Sequence, residues 1–170
     1  MRERLKVRSL KKSEREDLEP LIKEFFPDRS VLKTLLKSEI KIFETEDVEI
    51  YLVGPHFMLR KAGRTFPALT QTNEGILQTL PSVKVDMGAV GPVTSGADIM
   101  RPGIKVFIGE FNAGDMVVVR DEIYSKPLAI GEALIPLNDA YGASRGRVVK
   151  NLHHVEDKEW KIITSGLLGG

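Results

Sequence analysis

The chain has 170 residues, of which 42% are hydrophobic and 29% charged, and its formal net charge is +1. This composition is typical of a globular protein that buries a core, and it excludes a polycation that binds nucleic acid by charge alone. The sequence contains no cysteine, which excludes disulfides, thiolate metal sites and a cysteine nucleophile. Because neither a signal peptide nor a run of about 18 apolar residues is visible, we expect a cytoplasmic protein with no membrane partner.

The first residues of the chain predict an edge strand followed by a helix. Leu5–Leu10 alternates between apolar and charged residues, as a half-exposed strand does. Ser13 with Glu16 three residues later matches a capping box and predicts a helix that runs towards Phe26. Since Pro20 falls inside this span, the helix is either kinked or begins later.

The rest of the first eighty residues predicts a second helix, a small antiparallel sheet and a third helix. Asp28 is placed to cap the second helix. The apolar face of that helix comprises Val31, Leu32, Leu35 and Leu36. Three strands separated by polar or Gly-Pro turns follow, at Ile40–Glu44, Val48–Val53 and Phe57–Arg60. A helix over Thr72–Leu80 completes this half.

Beyond Pro81 the pattern changes to short strands and tight turns. Predicted strands lie at Val83–Asp86, Lys105–Ile108, Met116–Arg120, Leu128–Leu137, Val148–Val155 and Trp160–Ile163. Short strands at this spacing favour a small barrel or sandwich. We place a domain boundary near Pro81 and Ser82.

The stretch Val85–Gly103 is rich in glycine and proline and poor in charge. It reads VDMGAVGPVTSGADIMRPG. Glycine allows close backbone approach and proline removes an N–H donor, so the pattern predicts a tight loop that presents main-chain groups to a partner. The neighbouring basic residues Lys84, Arg101 and Lys105 favour a partner that carries phosphate.

Three blocks of the sequence resemble the signature segments of a PUA domain, an RNA-binding pseudo-barrel. They are VDMGAVGPVTSGADIMRPGI, FNAGDMVVV and PLAIGEAL. Upstream, PHFMLRKAGRTFPALTQTNEGILQTLP is similar to the malignant T-cell amplified sequence family and to the amino-terminal part of ligatin. NLHHVEDKEWKI resembles the closing strands of that family. The similarity extends from about Tyr51 to Ile163, and residues 1–50 match weakly.

The resemblance implies an α+β protein of two domains. An amino-terminal α/β pre-PUA domain over residues 1–81 precedes a PUA β pseudo-barrel over residues 82–165. Eukaryotic members of the family pair with density-regulated protein, contact the small ribosomal subunit, and act in tRNA release and reinitiation. The resemblance therefore implies a non-enzymatic translation factor without a cofactor. Its expected partners are tRNA or ribosomal RNA and the small ribosomal subunit, and a density-regulated-protein-like partner is a further candidate.

In PUA domains RNA lies against the first short helix, the following strand and the last strand. Carried over by motif, the expected RNA-binding residues are Lys84, Gly88, Ala89, Thr94, Ser95, Gly96, Ala97, Ile99, Met100, Arg101, Pro102, Gly103 and Lys105, with Asp98 in the same segment. Secondary RNA contacts are expected at Arg60, Lys61, Arg64, Arg145, Arg147 and Lys150. Hydroxyls can bond phosphate or sugar, and apolar side chains can hold an unstacked base.

The same residues also admit a purely architectural interpretation. The glycines could serve only the turns of a small barrel. On a strand, one of Ile99 and Met100 must face the core, so at most one contacts RNA. Arg145 and Arg147 lie in a flexible basic turn, which is a solvated turn unless it lies beside the glycine-rich loop.

The histidines do not predict a metal site. His153 and His154 are adjacent, and adjacent strand residues point to opposite faces. His56 is distant in sequence, and no cysteine completes a ligand set. We therefore expect no metal and no histidine-based catalytic triad.

Two other functions stay open at this point. The amino-terminal half could act as an adaptor that binds a protein, with the PUA domain secondary. Alternatively, the chain could be the targeting subunit of an RNA-modification complex. Residues 1–80 carry no catalytic signature, so we expect that the protein is not an enzyme.

Overall fold

The structure is a computed structural model, and it describes residues 4–166 and residue 168. By backbone proximity the chain divides into two compact units. Unit 1 comprises the chain up to Ile76 together with the segment from Ile162 onwards, and unit 2 comprises Leu77–Lys161. The boundary expected between residues 81 and 82 stays a prediction.

Unit 1 contains a five-stranded antiparallel sheet. Its strands are β1 (Lys6–Ser9), β2 (Ile40–Glu44), β3 (Val48–Val53), β4 (His56–Lys61) and β5 (Arg64–Pro67), in the order β1-β2-β3-β4-β5. The edge strand and the three consecutive strands are confirmed, whereas β5 was not predicted. Ile50 on β3 lies opposite Leu59 on β4, and both side chains are fully buried. Cross-strand pairs of this kind fix the register of the sheet.

The first helix, α1 (Lys12–Ile22), begins earlier than its expected cap. Ser13 lies inside the helix, and Glu14 accepts a hydrogen bond from the N–H of Lys11 at 3.0 Å. Pro20 stands in the last turn, and a 3-10 turn over Lys23–Phe25 continues the path. Proline cannot donate to the preceding turn, which explains why the regular helix ends shortly after it.

The second helix, α2 (Arg29–Lys37), is capped as expected. The side chain of Asp28 accepts from the N–H groups of Ser30 at 2.9 Å and Val31 at 3.2 Å. The predicted apolar face was wrong at Val31, because that side chain is exposed, while Leu32 is buried.

The third helix is shorter than the predicted span. A 3-10 turn over Gln71–Asn73 leads into the four-residue α3 (Glu74–Leu77). Asn73 is fully buried, and its side-chain amide donates to the carbonyls of Phe57 at 2.8 Å and Ala68 at 2.9 Å. These bonds to strand and loop carbonyls hold the segment in a tight turn instead of a long helix.

Unit 2 is built on a six-stranded curled sheet. Its strands are β6 (Ser82–Val85), β7 (Ile99–Met100), β8 (Ile104–Ile108), β9 (Met116–Asp121), β10 (Pro127–Ala133) and β11 (Arg147–His154), in the order β7-β11-β10-β9-β6-β8. All pairings are antiparallel except β6 with β9. Two short helices, α4 (Val90–Val93) and α5 (Leu137–Gly142), and 3-10 turns over Met87–Ala89 and Arg101–Gly103 fill the connections. The mixed α+β content and the curled sheet confirm the predicted fold.

The core of unit 2 lies inside this curled sheet. It is made of small and branched apolar side chains: Val83, Val85, Val93, Ile99, Ile104, Phe111, Val117, Val119, Leu128, Ala129, Ala133, Ala140, Val148 and Val149. Branched residues pack well on a pleated surface, so the same residues that favour strands also fill the interior.

Two predicted strands of this half were wrong in extent or type. Strand β10 ends at Ala133, short of the predicted end at Leu137, where α5 begins instead. The segment Trp160–Ile163 is part of a helix, α6 (Lys158–Thr164). The side chain of Asp157 accepts from the N–H of Trp160 at 2.8 Å, which is an N-cap contact.

None of the helices in the described part of the chain combines the length and the apolar character needed to cross a membrane.

Candidate nucleic-acid interface

The glycine loop, defined as residues 86–103, is a closed excursion between two neighbouring strands of unit 2. Strands β6 and β8 pair on either side of it, and the N–H of Asp86 donates to the carbonyl of Gly103 at 3.0 Å. The Asp86 carboxylate also accepts from the N–H of Ala89 at 2.9 Å. A Cβ added at Gly103 would lie 3.6 Å from the Cβ of Ala89, so the two ends of the loop are in contact.

Several main-chain N–H groups of this loop are used inside the protein. Those of Ser95 and Ala97 donate to the carbonyl of Pro92, at 3.1 and 3.0 Å, and that of Gly96 donates to Val93 at 3.1 Å. Gly96 ends the turn with φ of 99°, a conformation that favours glycine. These three amides are therefore occupied within the protein, while the expectation that the loop presents main-chain groups to a partner stays a prediction for the rest of the loop.

A second segment, the basic turn over residues 142–147, lies directly beside the glycine loop. The N–H of Arg101 donates to the carbonyl of Gly146 at 2.8 Å, and Arg147 is paired with Met100 across β11 and β7. The guanidinium of Arg147 contacts the carboxylate of Asp98 at 3.1 Å and keeps 60% of its side chain exposed. The sequence predicts a role in binding for Arg145 and Arg147 only if this turn lies beside the glycine loop, and the structure places it there. We call the combined surface the loop–turn surface.

Asn151 connects strand β11 to the glycine loop through three hydrogen bonds. Its side-chain amide donates to the carbonyls of Val93 at 3.0 Å and Ala97 at 2.9 Å, and its N–H donates to Asp98 at 3.0 Å. Asn151 is not among the residues that the sequence predicts for the site. The available signal was an asparagine inside a predicted strand, where this residue type is uncommon.

The side chain of Arg101 is held within the loop–turn surface by contacts to its neighbours and does not extend freely into solvent. Its guanidinium donates to the carbonyls of Ala140 at 2.8 Å and Ile104 at 3.1 Å, and it lies 5.0 Å from the centre of the Phe107 ring. A guanidinium that satisfies carbonyls and stacks on a ring has little freedom to follow a phosphate. Its positive charge still lies at the loop–turn surface.

The exposed side chains of the loop are few. Ile99 is only 2% exposed and Met100 is 45% exposed, so of the two only Met100 can touch a ligand. The hydroxyl of Thr94 donates to the carbonyl of Val90 at 2.9 Å. Ser95 is exposed, and within residues 4–166 and residue 168 its hydroxyl has no partner. Gly88 and Pro102 lie in the two 3-10 turns that close the loop.

The remaining lysines of unit 2 occupy strands around the loop. Lys84 on β6 is half-buried and lies opposite Val106. Lys105 falls at the bulge between Ile104 and Val106, and it is exposed. A bulge of this kind re-aims a side chain relative to its neighbours. Lys150 on β11 is exposed opposite Glu132.

The structure places Arg60, Lys61 and Arg64 in unit 1, on the β4–β5 hairpin. Arg60 lies opposite Glu49 and hydrogen-bonds Tyr51, so its charge is partly matched locally. Burial, together with the hydrogen bond to Glu49, raises the pKa of Tyr51 well above its ordinary value. These three residues do not belong to the loop–turn surface of unit 2.

The histidines show a cluster that the sequence analysis did not predict. His153 is fully buried, whereas His154 is half-buried, as expected for neighbours on a strand. The Nδ1 atom of His153 lies 2.7 Å from Asp157, and the ligand-type atoms of these two residues and Glu159 fall within 4.8 Å of one another. Burial raises the pKa of Asp157, but hydrogen bonds from His153 and from two main-chain N–H groups outweigh it and lower the pKa below its ordinary value. Because Asp157 caps α6, its carboxylate has a structural role.

His154 approaches the glycine loop. A Cβ built on Gly96 would lie 3.3 Å from the Nε2 atom of His154, and the Nδ1 atom of the same ring lies 2.8 Å from the carbonyl of Val155. The absence of a side chain at Gly96 therefore has two causes, its positive φ and the adjacent imidazole.

Comparison with known proteins gives the same result for family and fold. The family model for the PUA domain matches residues 81–155. Translation machinery-associated protein 20 of Schizosaccharomyces pombe is 30% identical over 152 residues, covering 86% of this chain and 80% of the relative. Malignant T-cell-amplified sequence 1-B of Xenopus laevis is 28% identical over 136 residues, covering 75% of this chain and 74% of the relative. The crystal structure of a PUA domain from Aeropyrum pernix K1 has a TM-score of 0.74 at 26% identity, covering 95% of this chain and 92% of that one.

The similarities extend well beyond the three signature blocks, since they include most of the first eighty residues. They confirm the resemblance derived from the sequence and the α+β fold. The chain belongs to the family of PUA-domain proteins that includes Translation machinery-associated protein 20 and Malignant T-cell-amplified sequence 1.

Proposed function

We propose that this protein binds RNA through the loop–turn surface and acts in translation without catalysing a reaction. The observation that carries the proposal is the position of the basic turn, whose Gly146 accepts a hydrogen bond from Arg101 of the glycine loop at 2.8 Å. This contact sets exposed arginines beside an exposed loop of low charge. The names of the relatives support a place in the translation machinery.

The chemistry of the surface suits an RNA end or an unpaired segment. Arg147 offers a planar guanidinium that can bind phosphate oxygens in pairs, and Ser95 offers a free hydroxyl for a phosphate or a ribose. Met100 adds an exposed apolar contact for a base. A continuous RNA duplex hides its base edges in grooves, so such a mixture of side chains favours unpaired nucleotides. The acceptor end of tRNA and single-stranded ribosomal RNA are the RNA classes that fit.

Binding through this surface involves few phosphates. Only Arg145 and Arg147 are cations of the basic turn, and the whole chain has a net charge of +1. Since each neutralised phosphate contributes to the salt dependence of binding, we expect a shallow fall of affinity with salt.

The test introduces a charge at Ser95. Its side chain is exposed and has no partner in the described part of the chain, so substitution leaves the fold intact. A carboxylate in Ser95→Asp would repel phosphate, and we expect it to weaken binding of a tRNA transcript about tenfold. Fluorescence anisotropy with a labelled transcript measures the affinity. The neutral variant Ser95→Asn is the matched control and should bind nearly as well as the unmodified protein.

Equal affinities for Ser95→Asp and Ser95→Asn would contradict the placement of the site. Failure of the unmodified protein to bind either a tRNA transcript or small-subunit ribosomal RNA would contradict the function itself. Sedimentation on a sucrose gradient tests the proposed place in translation, and we expect the protein to sediment with small ribosomal subunits. Because translation occurs in the cytoplasm, we also expect the protein to be located there.

A further inference from the structure

One large aromatic side chain beside the loop–turn surface has no role in packing the core. Tyr141 lies on α5, and 72% of its surface is exposed. An aromatic ring of this size gains stability when it is buried, so such strong exposure beside a candidate binding site points to a ligand.

The ring of Tyr141 is held in place from one side. Its centre lies 6.0 Å from that of Phe107, at an interplanar angle of 52°, and Phe107 lies 6.4 Å from Phe111 of the core. The guanidinium of Arg101 lies 5.0 Å from the centre of the Phe107 ring. The cluster of Arg101, Phe107 and Tyr141 therefore connects an exposed ring to the buried core, which lowers the entropic cost of binding on it.

The same cluster connects Tyr141 to the basic turn. Arg101 donates through its side chain to the carbonyl of Ala140, at 2.8 Å, and through its main chain to that of Gly146, also at 2.8 Å. Helix α5 and the basic turn are thus fixed to one residue of the glycine loop. The exposed ring consequently lies on a helix that is fixed to Arg101, and the turn that carries Arg145 and Arg147 follows this helix directly in the chain.

An aromatic ring beside cations favours nucleic acid over other ligands. Single-stranded RNA offers a row of flat bases joined by negative phosphates, and proteins bind it by stacking bases on aromatic rings within a positive groove. A protein partner would use the ring as an apolar anchor and would make no demand for neighbouring cations of one sign.

We propose that Tyr141 is a stacking site for an unpaired base of the RNA whose backbone lies along the basic turn. This inference rests on the proposed function and adds a residue from outside the signature blocks of the family. Tyr141 supplies affinity for any base with a free face, so the site selects single-stranded character more than sequence.

The test compares two RNA probes and three substitutions. One probe is a short hairpin with an unpaired 3′ tail, and the other is the same hairpin with a blunt end. Because a base that stacks on the aromatic side chain loses this contact, Tyr141→Ala should weaken binding of the tailed probe about tenfold. Tyr141→Phe keeps the ring and should bind nearly normally, whereas Tyr141→Leu keeps an apolar side chain without the ring and should resemble Tyr141→Ala.

Tyr124 provides a matched control. It is 78% exposed in the same unit, on the β9–β10 turn. Tyr124→Ala should leave the affinity for the tailed probe unchanged, and Tyr141→Ala should scarcely affect the weaker binding of the blunt hairpin. Circular dichroism melting of each variant confirms that the fold is retained, as expected for exposed side chains.

The stacking site would be overturned by equal affinity of Tyr141→Ala and the unmodified protein for the tailed probe, by full binding by Tyr141→Leu, or by an equal loss in Tyr124→Ala. If Ser95→Asp still weakens binding in that case, the proposed function survives and only the stacking site fails. If Tyr141→Ala loses affinity only for a ribosomal protein, the surface binds protein and the inference is wrong. If the unmodified protein binds neither probe, both proposals are overturned.

Discussion

At the scale of single residues, Ala62 carries backbone strain. It forms the tip of the β4–β5 hairpin with Gly63, and their φ angles are 52° and 73°. Both central residues of this turn have positive φ, as in the type I′ turns that suit the twist of a hairpin. Alanine is disfavoured there because its Cβ approaches the backbone.

We expect Ala62→Gly to raise the free energy of unfolding by about 0.5–1 kcal/mol, because it relieves this strain. Gly63→Ala is the matched control. It should lower the free energy of unfolding by about 1 kcal/mol, although a Cβ at Gly63 meets no atom within 4 Å. Urea denaturation measures both. Destabilisation by Ala62→Gly would show that the turn does not hold this geometry.

Asp157 makes the stability of the protein depend on pH. Its pKa lies below the ordinary value of 3.8, since hydrogen bonds from His153 and from the N–H groups of Trp160 and His154 outweigh the effect of burial. A lowered pKa in the folded state means that the carboxylate contributes its full stability above about pH 3.8 and loses it as the pH falls towards the lower, folded-state pKa.

We expect Asp157→Asn to lower the free energy of unfolding by about 2 kcal/mol at neutral pH. Asparagine still caps a helix, so the loss comes mainly from the charge and its hydrogen bonds. The difference between the variant and the unmodified protein should shrink below pH 3.8, as the native carboxylate becomes protonated. Urea titrations across this range measure it. A difference that stays constant with pH would contradict the role assigned to the charge.

At the scale of elements, Gly131 allows β10 and β11 to pair closely. A Cβ on Gly131 would lie 2.1 Å from the carbonyl oxygen of Lys150, at a register shift between these two strands. No side-chain adjustment relieves a clash with a main-chain atom, so the two strands must separate to accommodate it.

We therefore expect Gly131→Ala to lower the free energy of unfolding by about 3 kcal/mol. Gly142→Ala serves as the control, since a Cβ at Gly142 has no atom within 4 Å and its φ is not positive. That variant should change stability by less than about 1 kcal/mol. Thermal unfolding distinguishes the two, and a small effect of Gly131→Ala would mean that the strands pair less closely than described.

The sequence predicts most strands well and the short helices poorly. Long alternating or branched segments such as Val48–Val53 and Met116–Asp121 form strands as expected, because burial of one or both faces supports the local preference. Trp160–Ile163 is apolar and branched enough to favour a strand, but the cap provided by Asp157 starts a helix there. A single side-chain hydrogen bond can determine whether such a segment forms a helix or a strand. The periodicity of apolar residues does not reveal that bond.

At the scale of the whole molecule, the sequence identifies the glycine loop but not what surrounds it. The family motif identifies residues 86–103 because its glycines and prolines lie close to one another in the sequence. The sequence does not show that the basic turn, Asn151 and Tyr141 lie beside the loop. They are brought there by contacts between residues far apart in the chain, for example from Asn151 to Val93 at a separation of 58. The hydrogen bonds of Arg101 are hidden from the sequence for the same reason, since Ala140, whose carbonyl it binds, lies 39 residues away.

The proposed function depends on the binding of RNA at the loop–turn surface. The most direct measurement is the salt dependence of affinity for a tRNA transcript in the unmodified protein and in the double variant Arg145→Gln, Arg147→Gln. Lys12→Gln, Lys33→Gln removes the same charge from exposed positions of unit 1 and is the control.

If the two arginines neutralise phosphates, their removal should weaken binding at low salt and reduce the slope of log affinity against log salt concentration by about 1.4, since each neutralised phosphate of a single strand contributes about 0.7. The control should keep the slope of the unmodified protein. An unchanged slope in the arginine variant, or an equal change in the lysine variant, would contradict the account.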